Sequence, residues 1–186
     1  QYVITCAKDV PTQGNWSWPV VDCDDGIIDV TGRVIEGRIN SFEERDGSPT
    51  GWIVCLHRED GESGVTISGS ERHMHIFASM FDNRTDAGPK FHKLRLPEPI
   101  AESELHRLQI VLEGDKFTPY HDGKKLCDPI QLDEDITPAR LFLGINHRER
   151  DLAGAVAFER LKLYQQPAAV VAPFNSNDAQ RYQQAW

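Results

Sequence analysis

The chain has 186 residues, of which 39% are hydrophobic, with 14 Gly and 11 Pro. That is one domain's worth of length with enough apolar content for a core, so wholesale disorder is excluded, and so is a long helical bundle, given the density of chain breakers. A formal net charge of −9 argues against a general nucleic-acid-binding surface. No apolar run approaches the roughly 20 residues needed to span a bilayer.

Period-two alternation, the mark of half-buried strands, dominates to about Tyr164. Ile27–Ile39 sets Val30, Val34, Ile35 and Ile39 between charged positions. Trp52, Val54 and Leu56 alternate with Ile53, Cys55 and His57, so this strand is apolar on both faces and belongs in the middle of a two-layer structure. Val65–Ile67 is a short strand. Met74, Ile76 and Ala78 alternate with His73, His75 and Phe77, and Leu94 and Leu96 with Lys93 and Arg95. Pro99–Leu105 suits a single helical turn. Leu108, Ile110 and Leu112 follow, then Leu141, Leu143 and Ile145. Val156 and Phe158 give way to Leu161 and Leu163, a parity change that predicts a bulge at Glu159-Arg160. Asp46-Gly47, Asp60-Gly61, Glu113-Gly114-Asp115 and Asp122-Gly123 separate these runs as hairpin turns do. The expectation is about eleven short strands in an all-β, two-sheet antiparallel sandwich.

The four cysteines, Cys6, Cys23, Cys55 and Cys127, form no CxxC pair, which argues against a zinc ribbon or a thioredoxin-type site. Cys6 and Cys23 flank a loop-like stretch holding Trp16 and Trp18 and are candidates for a disulfide. Cys55 reads as a buried small hydrophobe.

Residues 104–127, with a strand, a Gly turn, a second strand and an Asp-Gly turn in succession, resemble a hairpin of laminin G-like and concanavalin A-like domains. Pro138–Gly144 and Phe158–Tyr164 look like the final strands of the same group, and the likeness spans roughly Gly32–Tyr164. It implies a jelly-roll sandwich. The stretch from Cys127 to Leu141 is similar to an accessory domain of large bacterial multidomain proteins that often carry a serine/threonine kinase domain. Pro167–Pro173 reads as an extended linker. Asn175–Asp178 then offers N-caps to a short helix over Ala179–Trp186, with Ala179, Tyr182 and Trp186 on one face. This tail resembles the connector ahead of formylglycine-generating-enzyme-like domains in such proteins. The division is therefore a sandwich over 1–166 and a linker with helix over 167–186, and the partners implied are neighbouring domains of the same polypeptide.

Glycoside hydrolases of this fold carry carboxylates alternating on one strand, Glu-x-Asp-x-Glu, which places an acid and a nucleophile on one face. No such pattern occurs here. Glu59, Asp60 and Glu62 lie at a turn and Asp133–Asp135 in a loop, where they read as solvated charge. A non-enzyme is expected, the competing class being a glycoside-processing domain related to keto-disaccharide hydrolases, and a structural spacer a third reading. Cys55 and His57 share a strand face but have no third orienting group.

For metals, His73 and His75 share a face and, joined by His57 or His121, would suit zinc or copper; otherwise they line a half-exposed sheet. Asp22, Asp24 and Asp25 offer oxygen ligands for calcium, the one cofactor considered, at a sheet rim. For carbohydrate, the resemblance points to a concave sheet face, where aromatic rings stack on sugars and polar tips bond hydroxyls. Candidates are Trp52, His73, His75, Phe77, Tyr120 and Asn146, with Trp52 and Phe77 serving either there or in the core. Trp16 and Trp18 offer a loop-borne platform or plug one end of the sandwich. The expected function is a non-catalytic module for ligand sensing, carbohydrate recognition or interdomain contact, with no nucleic acid and no membrane insertion by this segment.

Overall fold

The computed structural model describes residues 2–6, 14–36, 50–70, 75–98, 100, 104–147 and 154–165. The turn at Asp46-Gly47, most of Pro99–Leu105, His73, the linker and the terminal helix lie outside the described residues. Thirteen strands form, and no helix occurs among the described residues.

The chain runs β1 (Tyr2–Cys6), β2 (Gly14–Cys23), β3 (Gly26–Glu36), β4 (Thr50–Arg58), β5 (Ser63–Ser70), β6 (His75–Asp82) and β7 (Lys90–Arg95). It continues β8 (His106–Glu113), β9 (Lys116–His121), β10 (Lys124–Lys125), β11 (Ile130–Gln131), β12 (Ala139–His147) and β13 (Gly154–Gln165). One sheet of six strands has the order β2-β12-β4-β5-β6-β7. The other has the order β1-β13-β3-β8-β9, with β10 and β11 both pairing the outer edge of β9, seven strands in all. Every pairing is antiparallel. The register slips between Phe158 and Arg160, which is the bulge the parity change called for.

The two inner faces close on one apolar core. Trp52, Val54 and Leu56 of β4 meet Leu141, Leu143 and Ile145 of β12 on one side. Ile28 and Val30 of β3 join Leu108, Ile110 and Leu112 of β8 and Val156 and Phe158 of β13 on the other. Each such side chain contributes about 1.5–3 kcal/mol by leaving water.

Three aromatic rings lie across glycines on the neighbouring strand. Trp52 is paired with Gly69, Phe81 with Gly64 and Phe158 with Gly32. A Cβ at Gly69 would come within 2.5 Å of the Trp52 ring, and one at Gly32 within 3.0 Å of the Phe158 ring. The missing side chain is what gives the ring its seat. The turn Asp122-Gly123 has φ of 47° and 78°, the pair of left-handed residues that a two-residue type I′ hairpin demands.

Two expectations change. Trp16 and Trp18 lie in strand β2 rather than in a loop, and Pro19 is tolerated there because β2 is the edge of its sheet. Cys23 is a buried free thiol whose Sγ donates to the Ala139 carbonyl at 3.3 Å, so it makes no disulfide with Cys6. Burial, with Asp24 and Asp22 nearby, pushes that thiol up to about 11.

Candidate functional site

Strand register lays out the outer face of the six-stranded sheet row by row. Asn146, Gly51 and, farther along, His75 and Arg95 stand toward one end. Next come Ser17, Gly144, Ile53, Ser68, Phe77 and Lys93. Phe142, Cys55, Thr66, Ser79 and Phe91 follow, and then Arg140, His57, Gly64 and Phe81. The centre of the face is filled by Ile53 and Cys55, both buried. Half-buried rings surround them.

His57 is held between two rings, with its centroid 4.5 Å from Phe142 and 5.0 Å, edge-on, from Phe81. Gly64 lies between His57 and Phe81 in the row and leaves the space for this contact. Burial lowers the His57 pKa, so the ring is neutral at neutral pH. Phe77 lies 6.4 Å from His75 and has the Lys93 ammonium over its face at 5.9 Å. Thr66 donates to Cys55 Sγ at 3.5 Å, and burial raises the Cys55 thiol, as for a packed side chain. Phe91, on the edge strand β7, is 69% exposed, the most open large apolar side chain among the described residues. It was not among the sequence candidates, yet its parity with Lys93 and Arg95 puts it on the same outer face.

The candidates therefore separate. His75, Phe77 and Asn146 share this face. Trp52 does not: it is 4% exposed and points into the core with Val54 and Leu56, so it cannot meet a ligand on the sheet surface. Tyr120 sits on the outer face of the opposite sheet, paired with Gln109 and Lys125. His73 lies outside the described residues. His57 and His75 are three rows apart, about 20 Å along the strands, so they cannot share an ion. His121 belongs to the other sheet.

Asp22, Asp24 and Asp25 line a small hollow with Ile27, Ile28, Leu163 and Tyr164. Asp22 pairs with Arg140 at 3.1 Å, and Asp25 accepts from the Gly114 N–H at 2.6 Å, so two of the three are turned to separate structural partners.

The turn and loop carboxylates make surface contacts. Glu134 receives Arg58 at 2.6 Å, Ser63 at 2.5 Å, and Arg84. Asp133 pairs with Lys90 at 2.6 Å, Asp60 accepts from the Glu62 N–H, and Asp135 from the Thr137 N–H. The hydrogen bond from Ser63, with Arg84 and Arg58, holds Glu134 below the usual carboxylate range. Asp82, Asp122 and Asp135 are also displaced downward by their hydrogen bonds and ion pairs.

On the opposite sheet, Asp29 of β3 is 0% exposed and accepts a two-pronged bond from Arg107, at 2.9 and 2.7 Å, with Arg160 at 3.6 Å. This is a buried ion pair that pins β3 to β8 and β13.

No protein-family model and no curated protein sequence matches the chain. Solved structures do. The carbohydrate-binding module CBM66 from Bacillus subtilis superposes with a TM-score of 0.57 at 14% identity, over 86% of this chain and 90% of that one. The chain has the concanavalin A-like jelly-roll fold. The catalytic domain of an endo-1,3-β-glucanase (laminarinase) from Thermotoga petrophila matches this jelly roll with a TM-score of 0.57 at 11% identity, over 80% of this chain and 66% of that one. Sheep galectin-11 matches it with a TM-score of 0.51 at 8% identity, over 83% and 99%. At these identities the likeness is one of fold.

Proposed function

We propose that this jelly roll is a non-catalytic carbohydrate-binding module whose ligand surface is the outer face of the six-stranded sheet, working as an accessory domain of a larger bacterial protein. The observation that carries the reading is the make-up of that face. Phe91, Phe77, Phe142 and Phe81 offer ring surface for the apolar side of a sugar. Asn146, Ser68, Ser79 and Thr66 offer hydroxyl and amide partners beside them.

The competing enzyme reading lacks its chemistry on this face. Glycoside hydrolysis takes two carboxyl groups about 5–9.5 Å apart across the scissile bond. Within the strands described, this face carries one carboxylate, Asp22, at its rim and bound to Arg140. Sandwich and tail are read as separate units, 1–166 and 167–186, and the partners on that reading are neighbouring domains of the same chain.

The test is a glycan array followed by calorimetric titration of any sugar retained, with a calcium arm for Asp22, Asp24 and Asp25. Phe91→Ala and Phe142→Ala should each weaken binding about two- to tenfold, the worth of one aromatic contact. Tyr120→Ala should leave binding unchanged. Affinity indifferent to both Phe variants would refute the site. Turnover of a glycoside that is lost in Glu134→Gln would refute the non-catalytic reading.

A further inference from the structure

Among the described residues, the metal-ligating atoms of three His, Cys, Asp or Glu side chains come within 4.8 Å of one another at one place: His106, His121 and Asp122. We propose that these residues form a binding site for a divalent transition-metal ion of the zinc class, with a fourth coordination position left open.

The hairpin β8–β9 makes the site. Leu108 and His121 are directly paired, so His106, two residues before Leu108 on the same face, is the diagonal neighbour of His121. The two imidazoles stack with centroids 5.2 Å apart and planes 20° from parallel. Asp122 follows His121 and opens the type I′ turn, and its left-handed φ of 47° swings the carboxylate back toward the rings. Two backbone contacts fix it there. Its N–H donates to the Arg107 carbonyl at 2.8 Å, and its Oδ1 accepts from the Arg107 N–H at 2.8 Å.

That leaves Oδ2 aimed between the rings, 3.5 Å from His106 Nδ1 and 3.5 Å from His121 Nδ1. A tetrahedral zinc shell with ligand bonds of roughly 2.0–2.1 Å has edges of about 3.3–3.5 Å, so both separations are the edges such an ion would impose. The carboxylate is thus placed to share one small cation with both rings.

The chemistry of the donors agrees. Two nitrogens and one oxygen select a borderline ion such as zinc over calcium or magnesium, which take oxygen ligands. His106 is 8% exposed and His121 11%, while Asp122 at 36% leaves the approach for an ion or its fourth ligand. The site lies on the sheet opposite the proposed sugar face, so neither proposal depends on the other.

The full 186-residue chain, stripped with chelator, is titrated with Zn²⁺ by calorimetry and with Co²⁺ by visible absorption, and its melting temperature is read with and without each ion. One ion per chain, a raised melting temperature and cobalt d–d bands of a low-coordinate site are expected. Asp122→Asn retains an acceptor for the Arg107 N–H and so keeps the turn. It and His121→Gln should each weaken the ion at least about tenfold. Cys127→Ser and His92→Asn should bind as the parent does. Absence of saturable binding, or binding unchanged in Asp122→Asn, or binding lost in Cys127→Ser would overturn the site.

Discussion

Replacing Trp52 by alanine separates the two roles a tryptophan in this fold can have. At 4% exposure, its ring lies against Gly69 and among the core side chains. An indole buries about 150–250 Å², which at about 25 cal/mol per Å² is worth about 4–6 kcal/mol. The usual loss for Trp→Ala in a core is about 3–5 kcal/mol. For a domain of this size each kcal/mol moves the melting temperature by about 2–4 °C, so a fall of about 6–20 °C is expected in a thermal scan. The glycine supplies the second half of the experiment. A methyl at Gly69 meets Trp52 Cζ2 at 2.5 Å, so Gly69→Ala should cost about 1–3 kcal/mol in the parent. In the Trp52→Ala background the clash has gone, and the same change should be neutral or stabilising by about 0.5–1 kcal/mol, because alanine is less costly than glycine to order in a strand. The coupling in this double-mutant cycle is the signature of a ring seated on a glycine. If Trp52→Ala left the melting temperature unmoved, and Gly69→Ala cost the same in both backgrounds, the packing argument would be refuted.

Two further outcomes follow from buried charge. Asp29→Ala removes the buried carboxylate that Arg107 and Arg160 share and should cost about 3–5 kcal/mol by chemical denaturation; a loss below about 1 kcal/mol would mean that the pair does not pin the three strands. Acid should destabilise the domain in two stages. His57 and His121 titrate below their ordinary 6.5 in the folded protein because burial disfavours the cation. The unfolded chain therefore takes up those protons first, and stability falls as pH drops below about 6.5. Asp82 and Glu134, held down by Arg84 and by Ser63, contribute stability above their ordinary 3.8 and 4.5 that is lost as pH falls through the lower folded values. Melting temperature measured from pH 8 to pH 3 should decline in that order; a rise between pH 7 and pH 5 would contradict the assignment.

The fold could be read from the chain because alternation and turn chemistry act locally. The bulge at Glu159-Arg160 and the hairpin turns at Asp60-Gly61 and Asp122-Gly123 are visible as parity and as residue type. The site was only half legible, for a physical reason at each miss. β4 is apolar on both faces, so alternation grouped Trp52 with Val54 and Leu56 without saying which group faced inward; the pairing with Leu141, Leu143 and Ile145 decides it. Phe91 was within reach, since the parity that put Lys93 and Arg95 outside puts Phe91 there too. The grouping of His121 with His106 needed the β8–β9 register, which the turn at Gly114-Asp115 sets by pairing Glu113 with Lys116. Glu134 gave no local sign of its arginines, because Arg58 and Arg84 reach it from strands and turns far along the chain.

The pairing of first strand with last has a consequence for biosynthesis. β13 lies between β1 and β3, and it matches Tyr2 with Phe158, while β12 matches Trp18 with Leu143. The run β4-β5-β6-β7 is an uninterrupted meander whose internal pairings can form as its own residues leave the ribosome, although the other edge of β4 waits for β12. The seven-stranded sheet is different: until β13 has emerged, β1 has no partner and the inner edge of β3 stays unpaired. Closing such long loops is slow, and the waiting edges are open to other chains. A nascent chain whose β13 is still inside the ribosome would therefore expose a half-built sandwich, whereas one whose Gln165 has cleared the exit tunnel can close the seven-stranded sheet.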